Sequence, residues 1–499
     1  MLRILGSPKR LCDGLTRRDM LQVGSLATLG LSLPVLFQQK NYASNPNRGA
    51  RPGFGKAKSC ILLFLYGSPS QLETFDVKPD APVEVRGEFQ TIPSSIPGYR
   101  VGELLPQTSK IMHLTTVLRS VTHPYPIHGV AYATTGVDTI DVPMELNPRD
   151  PRHYPYIGSV VEYLSKRDGR DRGKAPTNIG LPWPMSSRRV GEVARAGPYA
   201  AFLGGAFNPK WTEFRGEATR HWVKTLQDQR FEGGEPYMGI SPDSRFELAT
   251  TTEIPADITL DRLDQRRHLL QQLDDARRDL ERSESGRTYS RFQQMAFDLI
   301  RSRAVREALD VQREPRSVRE SYGMTLFGQS CLVARRLVEA GSRFVTVFWD
   351  EFGLAGSGWD THWNHFARMK EELCPGFDAG FAGLLRDLEQ RGLLDETLVV
   401  CLSEHGRTPQ LTSGNGGGRD HWSQCYSVVF AGGGVRRGCI VGKSDRIAAT
   451  VAERPISPKD ILATIYHLLG FDIETTLTDR TGRPVPLLHQ ASVIQEAIA

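Results

Sequence analysis

The chain has 499 residues, 39% hydrophobic and 24% charged, with a net charge of +5 from 62 basic and 57 acidic side chains. That composition excludes a disordered or fibrous chain, and the length is too great for one small core. The near-even charge, with no long Lys/Arg run and no basic patch interleaved with aromatics, argues against a nucleic-acid binder.

The first segment, LTRRDMLQVGSLATLGLSLPVLF, sets Arg17 and Arg18 before a moderately apolar run containing Gly and Ser. It resembles a twin-arginine export signal. We therefore expect a signal over 1–43, recognition by the twin-arginine export machinery, and a periplasmic or extracellular location. The run is interrupted by Gln22 and Pro34 and is short for a spanning helix. Residues 44–56 read as a linker. Six cysteines follow Cys12, with no CxxC pair. Zinc-finger spacing is therefore absent. Cys60 and Cys401 fall in apolar runs, where a buried thiol is expected.

KSCILLFLYG is a continuous apolar run, as in a strand covered on both faces. TTVLRSVTH predicts a second strand, and GVAYATTG a short helix stopped by Gly136. The region 141–320 begins rich in Pro, Arg and aromatics, then turns charged with a helical period in LDRLDQRRHLLQQLDDARRDLERSESGR, which reads as a solvent-facing helix. Regular alternation then returns. GQSCLVARRLVEAGS is a helix with Gly341 as its stop, and RFVTVFW is a strand. A helix follows over FDAGFAGLLRDLEQRGLLDET, then strands over TLVVCLSEHG and SVVFAGGGV. SPKDILATIYHLLG has a Ser N-cap, Pro in the first turn and Gly past the end. This pattern predicts an α/β fold with a mostly parallel central sheet and helices on both faces. The expected organisation is one domain over 57–489, its core built from 57–140 and 325–475, with 141–320 inserted or capping.

Ligands in such sheets bind beyond the carboxyl ends of the strands. The polar residues just past each apolar run are therefore the candidates. Asp360, His362 and His365 follow RFVTVFW, and Glu404, His405 and Arg407 follow TLVVCLS. Asp420 and His421 lie in GGGRDHW. Thr122, His123 and His128 follow VLRSV, and Ser68, Ser70, Glu73 and Asp76 follow ILLFLYG. Mixed imidazole and carboxylate side chains suit zinc or a similar divalent ion. AGGGVRRG lacks the Lys-Ser/Thr of a phosphate loop.

From about Ser59 to Leu488 the chain resembles the bacterial family of exported proteins called domain of unknown function 1501. The resemblance is carried by GSPSQLETFDVKPDAP, THPYPIHGVAYATTG, FGQSCLVARRLVEAGSRFV, GWDTHWNHF, RGLLDETLVVCLSEHGRTP, GRDHW, AGGGVRRG and PKDILATIYHLLG. That family is related to the alkaline phosphatase and sulfatase superfamily. The resemblance implies an alkaline-phosphatase-like core and a two-metal site. One ion would be held by Asp360, His362 and His421, with His365 as a rival, and the second by Glu404 and His405 in an Asp-His-like doublet. Family members often carry Phe at the position of His405. SVTHPYPIHGVAYATTG resembles a strand–Thr–x–Pro…His…Thr–Gly segment, which makes Thr122 the nucleophile and His128 its companion. Arg407 would pair with an anionic substrate as a fork. The first strand ends in Tyr66-Gly67-Ser68, where the superfamily has a metal-binding Asp. Only Glu73 or Asp76 could substitute, by the loop folding back. The implied activity is metal-dependent hydrolysis of sulfate or phosphate esters on a small molecule or polysaccharide. Zinc is the expected metal, with calcium or manganese as alternatives. The rival reading is a non-catalytic binding or cell-envelope protein on a degenerate hydrolase scaffold.

Overall fold

The computed structural model describes residues 51–126, 128, 130–137, 147, 150–170, 175–185, 197–224, 229–249, 302–349, 358–414 and 416–499. The expected signal and the charged helix near 260–287 lie outside them. The body containing the sheet runs from Gly53 to Ala499.

Nine strands form the central sheet: β1 (Ser59–Leu65), β2 (Thr115–Val121), β3 (Asn178–Leu181), β4 (Lys210–Arg215), β5 (Arg245–Leu248), β6 (Phe344–Trp349), β7 (Thr397–Leu402), β8 (Tyr426–Ala431) and β9 (Cys439–Val441). Their spatial order is β9-β2-β8-β7-β1-β6-β3-β4-β5. Within this sheet β8 and β5 run antiparallel to their neighbours, and the other pairings are parallel. The α/β reading with a mostly parallel sheet therefore stands.

β1 shows why the run is apolar without alternation. Ile61, Leu63 and Leu65 enter one core layer, with residues of helices α3 (Leu326–Glu339) and α4 (Cys374–Gln390). Cys60, Leu62 and Phe64 enter the other, with residues of α1 (Val130–Thr135), α2 (Ile157–Arg167) and α5 (Pro458–Leu468). Each of these large side chains is almost fully buried, and full burial stabilises by roughly 1.5–3 kcal/mol apiece. Cys60 and Cys401 are buried free thiols. The Ser457 hydroxyl accepts from the Asp460 N–H at 3.3 Å, and the Asp460 carboxylate accepts from the Ser457 N–H at 2.9 Å, which closes a capping box on α5.

One expectation is corrected. The region read as an insert or cap supplies β3, β4 and β5, which extend the sheet beyond β6. These strands are short, and β4 (KWTEFR) alternates buried and less buried side chains as a partly covered strand does. They therefore lack the long apolar runs of the centre. Among the described residues no helix is long and apolar enough to cross a membrane.

β7, β1 and β6 are adjacent, parallel and level at their carboxyl ends, with Phe64 opposite Leu402 and Leu65 opposite Trp349. The segments that leave those ends meet over the middle of the sheet.

Candidate metal centre

Gly67 follows β1 with φ +89°, and a Cβ there would lie 2.3 Å from the Asp360 nitrogen. The absence of a side chain lets the 358–360 segment return against the β1 end, where the Trp359 N–H donates to the Tyr66 carbonyl at 2.9 Å. Two buried arginine side chains hold this loop. Arg368 donates to the Gly358 and Asp360 carbonyls. Arg407 donates to Asp360 Oδ1 at 2.6 Å, to the Ser68 and Arg419 carbonyls at 3.1 Å each, and to the Gly67 carbonyl.

His421 arrives through a two-residue antiparallel ribbon in which Gly406 faces Trp422 and Arg407 faces His421. The buried Gln71 carboxamide pins the ribbon. Its Nε2 donates to the Arg407 carbonyl at 2.8 Å, and its Oε1 accepts from the Arg407 N–H at 3.0 Å. Gln71 thus pairs with Arg407 as another strand's backbone would.

Three acceptor atoms converge at the centre. His362 Nε2 lies 3.0 Å from Asp360 Oδ1 and 3.1 Å from His421 Nε2, and His421 Nε2 lies 3.2 Å from Asp360 Oδ1. The other ring nitrogens fix the tautomers. His362 Nδ1–H donates to Asp420 Oδ1 at 2.6 Å, and His421 Nδ1–H donates to the Pro126 carbonyl at 3.3 Å. Both Nε2 lone pairs therefore point at each other and at a carboxylate oxygen. A zinc-like ion with bonds of about 2.0–2.1 Å spaces neighbouring ligand atoms roughly 2.9–3.4 Å apart. The observed triangle fits that spacing, and each histidine has the outer hydrogen bond that orients a metal-ligating imidazole. Asp360, His421 and His362 are 13%, 22% and 24% exposed, so the triangle opens to solvent.

A second histidine group joins it. His128, His405 and His421 also bring ligand atoms within 4.8 Å of one another. His405 is buried, its Nδ1–H donates to the Gly406 carbonyl at 2.8 Å, and its Nε2 has no partner among the described residues. His128 Nδ1 lies 2.8 Å from Glu404 Oε1, and its Nε2 lies 3.4 Å from Asp360 Oδ2. Glu404 is buried, Oε1 also accepts from the Gly67 N–H at 2.8 Å, and Oε2 has no partner among the described residues. Tyr66 stacks on His128 with centroids 4.9 Å apart.

The electrostatics follow from these contacts. Burial alone would raise the Asp360 carboxyl, but Arg407 and His128 hold it well below the usual carboxylate range. Burial alone would lower His128, but Asp360 and Glu404 raise it to about 9. Burial lowers His421, and burial with the nearby positive charges of His128 and Arg407 lowers His405 further. Both rings are therefore neutral near pH 7, as ligands must be.

Among the sequence candidates, Asp360, His362, His421, His405, Glu404 and His128 come together. Thr122 does not join them. Its strand β2 is separated from β7 by β8, about 10 Å at ~4.8 Å per strand. Its N–H donates to the Ile456 carbonyl, and among the described residues its hydroxyl makes no hydrogen bond to the cluster. Arg407 is not a substrate fork. It is 0% exposed, and its donors hold Asp360 and three carbonyls. His365 is no rival ligand, because it is buried between Thr361 at 2.8 Å and Glu73 at 3.4 Å. Glu73 and Asp76 do not replace a carboxylate at the β1 end. Glu73 forms a two-pronged pair with buried Arg419, while Asp76 contacts Lys78, Arg119 and Ser444. Sequence reading did not identify the Arg419–Glu73 pair or the Asp420–His362 bond. The signal for both is the pair of charged residues directly before His421 in GRDHW.

A family model described as "Protein of unknown function (DUF1501)" matches residues 57–498. No curated protein matches the chain. The PsFucS1 sulfatase from Pseudoalteromonas sp. is 12% identical, with 92% of this chain and 74% of that one covered, at a TM-score of 0.38. The lipoteichoic acid synthase LtaP from Listeria monocytogenes is 12% identical, covering 90% and 80%, at 0.36. The phosphonate monoester hydrolase SpPMH from Silicibacter pomeroyi is 11% identical, covering 83% and 74%, at 0.35. At such scores these likenesses carry no argument about the activity of this chain.

Proposed function

We propose, from the premise that the chain belongs to the DUF1501 family, that it is an exported, divalent-metal-dependent hydrolase of sulfate or phosphate esters. The observation that carries this reading is the triangle of Asp360 Oδ1, His362 Nε2 and His421 Nε2, with sides of 3.0, 3.1 and 3.2 Å. Three lone pairs facing one another at that spacing repel unless a cation sits among them. Asp360, His362 and His421 would hold the ion, with zinc as first choice and manganese or calcium as alternatives. Glu404 and His405 stand beside them with buried atoms that have no partner among the described residues. A bound ion would supply Lewis-acid charge to an ester oxygen.

The chain's own groups do the rest. Arg407 keeps Asp360 ionised and aimed. Asp420 and the Pro126 carbonyl hold the two imidazoles in the ligating tautomer. His128 keeps its proton between two carboxylates and is placed to give it to a departing alkoxide. Thr122 is assigned no step; the attacking group is water, whose oxygen bonds to sulfur or phosphorus as the ester bond breaks, and whose proton leaves to solvent as solvent restores the one His128 gives up. Substrates are small-molecule or polysaccharide esters, met outside the cytoplasm after twin-arginine export.

One feature favours the rival reading of a non-catalytic binding protein. β1 ends in the backbone of Gly67, which meets Glu404 and Arg407 where a further carboxylate would serve a hydrolase. Two measurements separate the readings. Elemental analysis of the purified chain should find a stoichiometric divalent ion that is lost in Asp360→Ala and His421→Ala. Chromogenic sulfate and phosphate monoesters should then be cleaved by the loaded wild type only. A bound ion without turnover of either ester class supports the binding reading, and absence of any ion under metal-replete conditions overturns the hydrolase.

A further inference from the structure

We infer that Arg407 is a built-in second positive charge, so that the centre takes one divalent ion rather than two. The inference rests on the metal reading above and goes beyond it in stoichiometry and in the role of Arg407.

Three observations lead to it. First, Arg407 Nη2 lies 2.6 Å from Asp360 Oδ1, the same oxygen that faces both ligating imidazoles. One side of that oxygen is committed to the guanidinium, which leaves the other for an ion. The guanidinium is 0% exposed, stays charged at any accessible pH, and is fastened to three backbone carbonyls. It is therefore a permanent fixture of the site and does not exchange with solvent cations. Second, the two sets of side chains that could hold an ion among the described residues share His421, and His128 of the second set turns both ring nitrogens to Glu404 and Asp360. The single free Nε2 of His421 serves one set at a time. Third, the β1 end offers no carboxylate. Gly67 sits there because a Cβ would strike the Asp360 backbone, and its N–H and carbonyl are used by Glu404 and Arg407. Of the acidic residues of the loop beyond, Glu73 is committed to Arg419 and Asp76 to Lys78 and Ser444, and Asp80 is exposed. The charge a second ion would bring against Asp360 is thus already present in the side chain opposite His421 in the ribbon.

The full chain is stripped with chelator, titrated with Mn(II) alone, and read by equilibrium metal analysis and electron paramagnetic resonance. About one ion per chain with an isolated six-line spectrum is expected. Two tightly bound ions with an exchange-coupled spectrum would overturn the inference and leave the metal reading intact. No bound ion would overturn both. Removing the guanidinium is the sharper arm. The groups left for a second ion are Glu404 and His405, whose buried Oε2 and Nε2 have no partner among the described residues; with the guanidinium gone, Arg407→Met is expected to raise the uptake from about one ion to about two, whereas Arg407→Lys stays at about one. A folded Arg407→Met that still takes one ion would show that Arg407 does not exclude the second. Should that variant fail to fold, the wild-type spectrum still decides the stoichiometry.

Discussion

The Asp420–His362 bond gives the most direct quantitative test of the centre. Asp420 Oδ1 holds the Nδ1–H of His362 at 2.6 Å while the carboxylate side chain is 58% exposed. Its removal therefore changes little packing, and the metal-free protein should keep its stability within about 0.5 kcal/mol. Loss of such an outer partner weakens metal affinity by roughly 10–100-fold, or about 1.4–2.7 kcal/mol. Asp420→Asn keeps a neutral acceptor and should fall near the lower figure, and Asp420→Ala near the upper. The same number must appear in unfolding. An ion at 1,000 times the wild-type Kd stabilises the native state by about 4.1 kcal/mol, and a 10-fold weaker site at that concentration by about 2.7 kcal/mol. Competition against a chromophoric chelator gives the affinity, and urea unfolding with and without ion gives the linked stability. The reasoning is refuted if Asp420→Ala binds the ion as tightly as wild type. It is equally refuted if the metal-free variant loses as much stability as the loaded one, which would make Asp420 a structural residue.

Other predictions address the charges around the site. In the metal-free protein His128 is raised from 6.5 to about 9, so its contribution is fully present below about pH 6.5 and lost as pH rises through about 9. That amounts to roughly 3 kcal/mol, seen as a falling urea midpoint between pH 6.5 and 9.5 that His128→Gln flattens. Glu73 is lowered from 4.5 to about 2, because burial, which would raise it, is outweighed by Arg419 and His365. Its contribution is present above about pH 4.5 and lost as pH falls towards 2. Arg419→Met should destabilise by about 3–5 kcal/mol, and adding Glu73→Gln should recover much of the loss in the thermal midpoint. Gly67→Ala forces a Cβ to within 2.3 Å of the Asp360 nitrogen at φ +89°, and should reduce both metal content and stability, the latter by about 1–3 kcal/mol.

Much of this architecture was legible because it is local. A strand covered on both faces must be apolar throughout, and KSCILLFLYG, RFVTVFW and TLVVCL are. Ser457, Pro458 and Gly470 punctuate α5 by capping chemistry that needs no tertiary information. The rule that sites gather at strand ends collected the residues that do converge, since β7, β1 and β6 end level. What periodicity could not give was partnership between buried charges. Arg407 was equally compatible with a substrate, with Asp420 or with Glu404, and only the turn at Gly67 turns it towards Asp360. Thr122 was misleading for a related reason. It sits at a strand end like the others, but sequence does not reveal that β8 intervenes between β2 and β7. The short strands β3–β5 were missed because a few alternating residues beside prolines resemble a loop.

The centre depends on a very small element. His421 and Arg407 face each other across a ribbon only two residues long, and Asp360 contacts both. A ribbon of that length has little register preference of its own, and a slip of one residue would send both side chains to the other face. The register must therefore be imposed from outside, and two buried groups do so. Gln71 bonds both backbone groups of Arg407, and the Arg419 side chain, locked on Glu73, also donates to the Thr408 and Pro409 carbonyls. Both come from the loop after β1 or answer to it, through Gln71 directly and Glu73 by way of Arg419. This loop nonetheless sets where Asp360 and His421 stand, and that is a physical reason for QLETF to be buried at the edge of a cluster it does not line.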